Sequence, residues 1–285
     1  MRTIGAGLLA HYQSGNTALA WGLKITRADA QVFGFTSHQR DVVISGTTYL
    51  AGPGLDVSSL AMSAGFGVDN AELTILADDT TFTVESLLSG RWDGAAFEVF
   101  RFNWADLTQG RDVIMRGNLG NVTPRAGAFV VELRGLQQYL QQPVGAPSTK
   151  TCRARLGDAL CTKNLAAFTH TGTVTAVTSA QVFEDSSRTE ADDYFGEGIL
   201  TWLTGDNAGL SVKVKTYSSA TDTFTLLLPM VLPIQVGDTY SAVAGCRKRL
   251  QEDCRDKFSN VLNFQGEPHR PVVDEITAYP EPNAE

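Results

Sequence analysis

From Ala128 to Gly135 the chain alternates: Phe129, Val131 and Leu133 fall on one side, Val130, Glu132 and Arg134 on the other. Successive side chains of an extended strand point to opposite faces, so this period of two predicts a strand with one buried face. Runs rich in β-branched and aromatic residues predict further strands at 71–76, 96–104 and 112–122. Val42-Val43-Ile44 and Thr47-Thr48-Tyr49-Leu50 flank Ser45-Gly46, a hairpin in which the glycine supplies the positive φ of a tight connection. Helical spacing is confined to Leu8, Leu9 and Tyr12, ahead of a strand-like 18–25, and to a short helix near 82–88. Residues 1–145 thus read as an antiparallel β domain with short helices.

Residues 137–150, QQYLQQPVGAPSTK, mix polar residues with two prolines and a glycine and mark a boundary. Beyond it, strands are predicted at 172–183, 199–203, 211–217, 222–228 and 239–243, joined by turns such as Gly205-Asp206-Asn207. This is the pattern of a small β-barrel or sandwich, placed at 146–275 and followed by a tail at 276–285. The fold class is therefore mainly β, in two domains. The greasiest run, Leu226 to Ile234, contains two prolines and is far shorter than the ~20 apolar residues of a spanning helix. It is expected to be a buried strand and turn, and no membrane anchor is expected.

Composition supports packed cores: 43% of the 285 residues are hydrophobic and only 19% charged, with a mean hydropathy of -0.07. The formal net charge of -8 argues against a protein whose task is gripping phosphate backbones. The first 150 residues carry 11 basic and 13 acidic side chains, and residues 151–285 carry 12 and 18. The acidity centres on Glu184, Asp185, Glu190, Asp192, Asp193 and Glu197, where no apolar period breaks the polar run, so a solvated loop is expected. Met1-Arg2-Thr3 opens no basic-then-apolar leader, which implies a chain made and folded in a cytosol.

All four cysteines lie in the second half, outside its predicted strands: Cys152 and Cys161 before them, Cys246 and Cys254 after them. The spacings are C-x8-C and C-x7-C. Buried free thiols, disulfides and a four-thiolate metal site are all compatible with this placement. A cytosolic origin weighs against disulfides, and the spacing is unlike the tight C-x2-C knuckles of a zinc ribbon. Wider loops suit a larger centre such as an iron–sulfur cubane. Arg153, Arg155, Arg247, Lys248, Arg249 and Arg255 lie within a few residues of the thiols, and neighbouring cations favour thiolates. On an unbroken helix Cys246 and Cys254 would stand ~12 Å apart along the axis, so the chain must turn between them to share one centre.

The run Gly245-Cys246-Arg247-Lys248-Arg249, followed by Cys254 and by Phe258-Ser259-Asn260-Val261-Leu262-Asn263-Phe264-Gln265-Gly266-Glu267-Pro268-His269-Arg270-Pro271, resembles the closing signature of phage minor tail protein L-like tail-tip proteins. It is similar also to the baseplate hub proteins of gene transfer agents. Cys152 to Cys161, with Leu156-Gly157-Asp158 between them, resembles the upstream C…LGD…C element, and Gly205 to Gly209 its G-x-N-A-G turn. Asp69-Asn70-Ala71-Glu72, Gly90-Arg91-Trp92-Asp93-Gly94-Ala95 and Asn103-Trp104 resemble the N-terminal hub motifs. Two departures stand out: Arg247 where an aspartate is usual, and Glu267 where an apolar residue usually precedes the proline.

The resemblance implies a structural hub in the tail tip of a virion, assembled in the bacterial cytoplasm, with Cys152, Cys161, Cys246 and Cys254 ligating a [4Fe–4S] cluster. It implies a homotrimer between a distal tail protein ring and a larger central tip or fibre protein, with a channel through which DNA can pass but no sequence-specific nucleic-acid binding. One alternative is a zinc-stapled structural module on the same ligands. Another is a cysteine hydrolase, which needs a thiolate beside one of His11, His38, His170 or His269. No G-x-S-x-G elbow occurs, and Gly5-Ala6-Gly7-Leu8-Leu9-Ala10 follows no predicted strand, so neither suggests catalysis and no catalytic residue is assigned. Residues 258–268 are expected to form a folded loop beside the cysteines, the helix between Phe258 and Phe264 ending at Asn260 or Asn263.

Overall fold

Helix α1 (Ala6–Gln13) leads into strand β1 (Leu19–Thr26), the order that the opening pattern predicts. The computed structural model describes residues 4–51, 56–57, 70–76, 83–125, 128–142 and 144–271. The chain divides into two units, Met1–Pro143 and Val144–Glu285.

In the first unit β1 is joined by β2 (Val32–Thr36), β3 (Val42–Ile44), β4 (Thr47–Ala51), β5 (Asp56–Val57), β6 (Asn70–Leu76), β7 (Ala96–Asn103), β8 (Arg111–Arg125) and β9 (Ala128–Gly135). They form one sheet in the order β3-β4-β2-β1-β7-β8-β9-β6-β5. Among the described residues every pairing is antiparallel except that of β2 with β4. Ser45 (φ 50°) and Gly46 (φ 79°) turn the β3–β4 hairpin, both with the positive φ of a type I′ connection. Val131 and Leu133 of β9 are fully buried while Val130, Glu132 and Arg134 are not, as the alternation requires. Central strands are covered on both faces. Phe97 and Val99 of β7 pack with Leu23, Ile25, Leu87 and Trp92, whereas Phe100 and Phe102 pack with Tyr49 and Val42. Helix α2 (Val84–Leu88) is capped by the Thr83 hydroxyl, which accepts from the Ser86 amide.

The second unit contains β10 (Thr169–Thr173), β11 (Ala176–Val177), β12 (Val182–Glu184), β13 (Ile199–Trp202), β14 (Ser211–Ser218), β15 (Thr223–Leu226) and β16 (Thr239–Val243). Their order is β10-β16-β13-β14-β15-β12-β11, with antiparallel pairing throughout. The stretch expected as one strand over 172–183 is instead three short ones, because Ser179 and Gln181 turn the chain back within it. Phe183, Phe195, Trp202, Tyr217, Phe224 and Tyr240 fill the core, with ring centroids such as Phe183–Phe224 5.1 Å apart. Among the described residues no helix is long and apolar enough to cross a membrane.

Two expectations are overturned here. The acidic stretch is a loop in which Asp192 is exposed, but it is not solvated throughout. Asp185 is wholly buried, where its carboxylate accepts from the Tyr240 hydroxyl (2.6 Å), the Ser187 hydroxyl (2.6 Å) and the Thr173 amide (3.2 Å), with Arg188 3.3 Å away. Glu190 meets His170 and Arg188, Asp193 meets Arg247, and Glu197 meets Lys213. Burial is the largest influence on Asp185 and raises its pKa, but the hydroxyl and amide donors with Arg188 outweigh it and hold the pKa below the usual value. Conversely, the apolar run 226–234 is buried only at Leu226 and Ile234; Leu227, Leu228 and Val231 are 45%, 65% and 50% exposed. The Asn207 amide explains the shape, donating to the carbonyls of Leu232 and Pro233 and so fixing the run as an outward loop.

Candidate functional site

Strands β10 and β16 pair from Thr169↔Val243 to Thr173↔Thr239, and the Ala244 amide extends the ladder to the Phe168 carbonyl. This pairing places the residues that precede the sheet beside those that follow it. The paired cysteines are thereby brought to one end of the unit.

The first pair lies on a loop shaped by Leu156-Gly157-Asp158. Gly157 has φ +80°, where any residue with a Cβ is strained, and a Cβ there would also press on the Leu165 side chain at 2.6 Å. The Asp158 carboxylate then accepts the amides of Arg155 (2.8 Å), Leu160 (3.0 Å) and Cys161 (2.7 Å), which closes the loop and holds its pKa below the usual value. The second pair begins at Gly245, where the backbone passes so close to Gly196 that a Cβ would fall 1.6 Å from its carbonyl oxygen. Lys248, at φ +65°, reverses the chain before the π-helical turn Leu250–Lys257, which carries Cys254. The chain does turn between Cys246 and Cys254, as one shared centre demands. Widened turns of this kind are rare and concentrate at functional sites; this one is held by the Cys254 amide donating to Arg249 and the Phe258 amide to Asp253.

Hydrogen bonds tie the four cysteine segments together. The Cys152 amide donates to the Lys248 carbonyl (2.9 Å), joining the first cysteine to the segment of the third. The Asn260 side-chain amide donates to the Cys161 carbonyl (2.7 Å) and sulfur (3.4 Å), while the Cys254 thiol donates to the Asn260 carbonyl (3.2 Å). The Gln265 amide donates to the Cys152 sulfur (3.4 Å). Cys161 is buried, the other three are partly buried, and all four are free thiols. Burial pushes the Cys246 thiol up. It pushes that of Cys254 up to about 11, with further upward contributions from Cys152, Cys161 and Cys246. Negative charge on the neighbouring sulfurs thus disfavours ionisation of Cys254. The donor set fits a thiolate-bound metal centre in its chemistry. Among the described residues, however, no three His, Cys, Asp or Glu donors form a group able to hold a single ion.

Four of the six cations expected to favour thiolates act otherwise. Arg153 pairs with Glu267 (2.8 Å), Arg247 with Asp193, Arg249 with Asp253 (3.1 Å) and Arg255 with Asp256 (2.7 Å). Each is committed to a carboxylate, and the net shift of Cys246 and Cys254 is upward. Glu267 and Arg247, the two departures from the resembled pattern, are thus both explained by ion pairs. Glu267 also accepts from the Ser148 hydroxyl (3.0 Å) and the Thr149 amide (3.0 Å), clasping the start of the unit to its end.

The closing loop is folded, but its terminator differs from expectation. Ser259, at φ +48°, takes the left-handed position, whereas Asn260 has φ -132°. Phe258 is buried against Phe168 (5.0 Å between centroids), Phe264, Gly266 and Pro268 are partly buried, and His269 is exposed. Lys257, which no sequence signal singles out, donates from Nζ to the carbonyls of Tyr194 (2.6 Å) and Gly245 (2.9 Å) over the Tyr194 ring. Burial lowers its pKa, against the pull of Asp253 and Cys246. His11 accepts the Ala18 amide, His38 stacks on Trp104 and His170 meets Glu190, so among the described residues no thiol is hydrogen-bonded to a histidine. Of the motifs in the first unit, Asp69 lies outside the described residues, Asn70-Ala71-Glu72 opens β6, and Gly90 to Ala95 form a turn around buried Trp92.

The family model described as baseplate hub protein, N-terminal attachment domain, matches residues 5–164, which include Cys152 and Cys161. The model described as phage conserved hypothetical protein BR0599 matches residues 193–274, which include Cys246 and Cys254. Among solved structures, a chain from the virion of a native gene transfer agent (GTA) particle is 35% identical. It superposes with a TM-score of 0.89 over 98% of this chain and 97% of that one. The search of curated proteins returned no match. With its N-terminal attachment domain matched over more than half its length and a virion protein superposing almost end to end, this chain belongs to the baseplate hub protein family.

Proposed function

We propose that the chain is a structural hub of a phage-like or gene-transfer-agent tail tip whose second unit is stapled by a [4Fe–4S] cluster on Cys152, Cys161, Cys246 and Cys254. The observation that carries the cluster reading is the joining of both cysteine pairs by the β10–β16 ladder and by the bonds through Lys248 and Asn260. A zinc ion on the same four thiolates is the second reading; the C-x8-C and C-x7-C spacings, wider than those of a zinc knuckle, favour a cluster, which spreads its thiolates over several irons. When bound, it supplies metal–thiolate bonds that cross-link the two ends of the unit, so its binding energy becomes folding energy. The chain's own part is to hold the sulfurs through Asn260, Gln265 and Lys248, and to exclude water with Phe258 and Phe264.

The hub reading rests on the family and on the likeness to a protein of a GTA virion. The chain acts as a homotrimer, matching a six-fold tail to a three-fold tip, with the distal tail ring on one side and the central tip protein on the other. It is not assigned an enzymatic role, because the thiols bond to amides and carbonyls and not to a general base. Cross-linking mass spectrometry on purified particles tests this: cross-links to distal tail and tip proteins are expected, and absence of the chain from the particles refutes the hub reading. Anaerobically purified protein is expected to be brown and its Cys246→Ser variant colourless; colourless parent protein rejects the cluster.

A further inference from the structure

Asn260 touches two of the four cysteines, Cys254 six residues before it in sequence and Cys161 99 residues before it. Its side-chain orientation is determined by its neighbours. The Asn263 side-chain amide donates to Asn260 Oδ1 at 2.8 Å, so Oδ1 must face Asn263 and the Nδ2 group must face Cys161, where it donates to the carbonyl and to the sulfur. Its own backbone is bound to Cys254 in both directions: the Asn260 amide donates to the Cys254 carbonyl at 2.7 Å, and the Cys254 thiol donates to the Asn260 carbonyl. Ser259, in the left-handed conformation, turns the chain out of the π-helical segment and delivers Asn260 to this position. The other amides beside the sulfurs, from Gln265 on Cys152 and Lys248 on Cys246, belong to the main chain. Among the described residues Asn260 is the side chain that donates to a cysteine sulfur.

We infer that Asn260 is the positioning residue of the four-cysteine site: it fixes Cys161 relative to Cys254 in the protein before any cofactor enters. A second consequence rests on the cluster reading given above. A hydrogen bond to a ligating sulfur draws electron density from it and favours the reduced state, so the Asn260 amide raises the reduction potential. The clamp itself does not depend on which metal, if any, is bound.

The test uses the full chain with Asn260→Ala and Asn260→Asp; the second keeps the shape and the acceptor for Asn263 but removes the donor. In metal-free, reduced protein, alkylation by iodoacetamide is followed at each cysteine by mass spectrometry. Rates are compared per thiolate, from the pH dependence of labelling, since the carboxylate of Asn260→Asp raises the neighbouring thiol pKa. Cys161 is expected to react about tenfold faster in both variants, as loss of one to two net hydrogen bonds implies, while Cys152, whose sulfur accepts from the Gln265 main-chain amide, keeps the parent rate. Should Asn260→Ala fail to fold, the isosteric Asn260→Asp decides. Parent-rate labelling of Cys161 in the folded variants overturns the clamp. In the iron-loaded protein both variants are expected to show a lower midpoint potential, and an unchanged potential overturns the electronic role. If the parent binds no iron, the cluster reading falls while the labelling of Cys161 still decides the clamp.

Discussion

Replacing Phe258 by alanine removes a ring that is 2% exposed and packs on Phe168 at 5.0 Å, immediately before β10. Phe168 also receives the Ala244 amide, so the contact secures the π-helical turn to the junction where both ends of the second unit meet. A buried Phe→Ala change costs ~3–5 kcal/mol, from lost transfer energy plus the cavity left behind. For a unit of this size that is a fall of about 10 °C in its melting temperature, at ~2–4 °C per kcal/mol. The assay is calorimetry on metal-free protein, with hydrogen exchange at the amides of β10 and β16 to assign the transition to the second unit, since two units need not unfold together. Leu262→Ala provides the contrast, because Leu262 is 99% exposed and such changes stay within ~0.5 kcal/mol. A Phe258→Ala variant within ~1 kcal/mol of the parent, or one indistinguishable from Leu262→Ala, would refute the packing argument.

Gly245→Ala is expected to abolish soluble second-unit structure, because its Cβ would overlap the Gly196 carbonyl; a folded variant that keeps the parent hydrogen-exchange pattern contradicts this. Asp185 has a depressed pKa in the folded state. Its contribution is therefore full above its ordinary value of 3.8 and lost as pH falls through the lower folded value. Acid unfolding of the second unit should be less steep over that range in Asp185→Asn, and an unaltered pH dependence would remove Asp185 from the account. Tyr240→Phe deletes the buried hydroxyl donor to that carboxylate and should cost ~1.5–3 kcal/mol in urea unfolding at pH 7, a value near zero being incompatible with the bond. Leu228→Ser and Val231→Ser lie on the exposed loop and should each change stability by under ~0.5 kcal/mol, whereas a loss of several kcal/mol would mean that the run is core after all.

What the sequence reveals depends on whether one element or several decide a residue's environment. Strand β9 is legible because its own alternation is matched by burial on one face, and the hairpin at 42–51 because Ser45-Gly46 dictates its turn locally. That hydrogen bonds join the segments carrying the two cysteine pairs is foreseeable from their places at both ends of an antiparallel domain. The acidic run misleads because Asp185 finds its hydroxyl partner on Tyr240, 55 residues away, and an isolated charge pattern cannot show a distant donor. The run from Leu226 to Ile234 misleads in the opposite sense, since hydropathy does not register that Asn207 bonds Leu232 and Pro233 and turns the intervening chain outward. Likewise, Arg153, Arg247, Arg249 and Arg255 beside the thiols suggest a basic site until Glu267, Asp193, Asp253 and Asp256 are seen to occupy them. Asn260 was visible as part of a motif, but its link to Cys161 emerges only from the fold.

Whether the four cysteines of the second unit hold the proposed iron–sulfur centre is decided by native mass spectrometry of the protein purified and sprayed without air. The account predicts an added mass of four irons and four sulfides per chain, lost in Cys254→Ser. An added mass of one zinc per chain, or none, would contradict it.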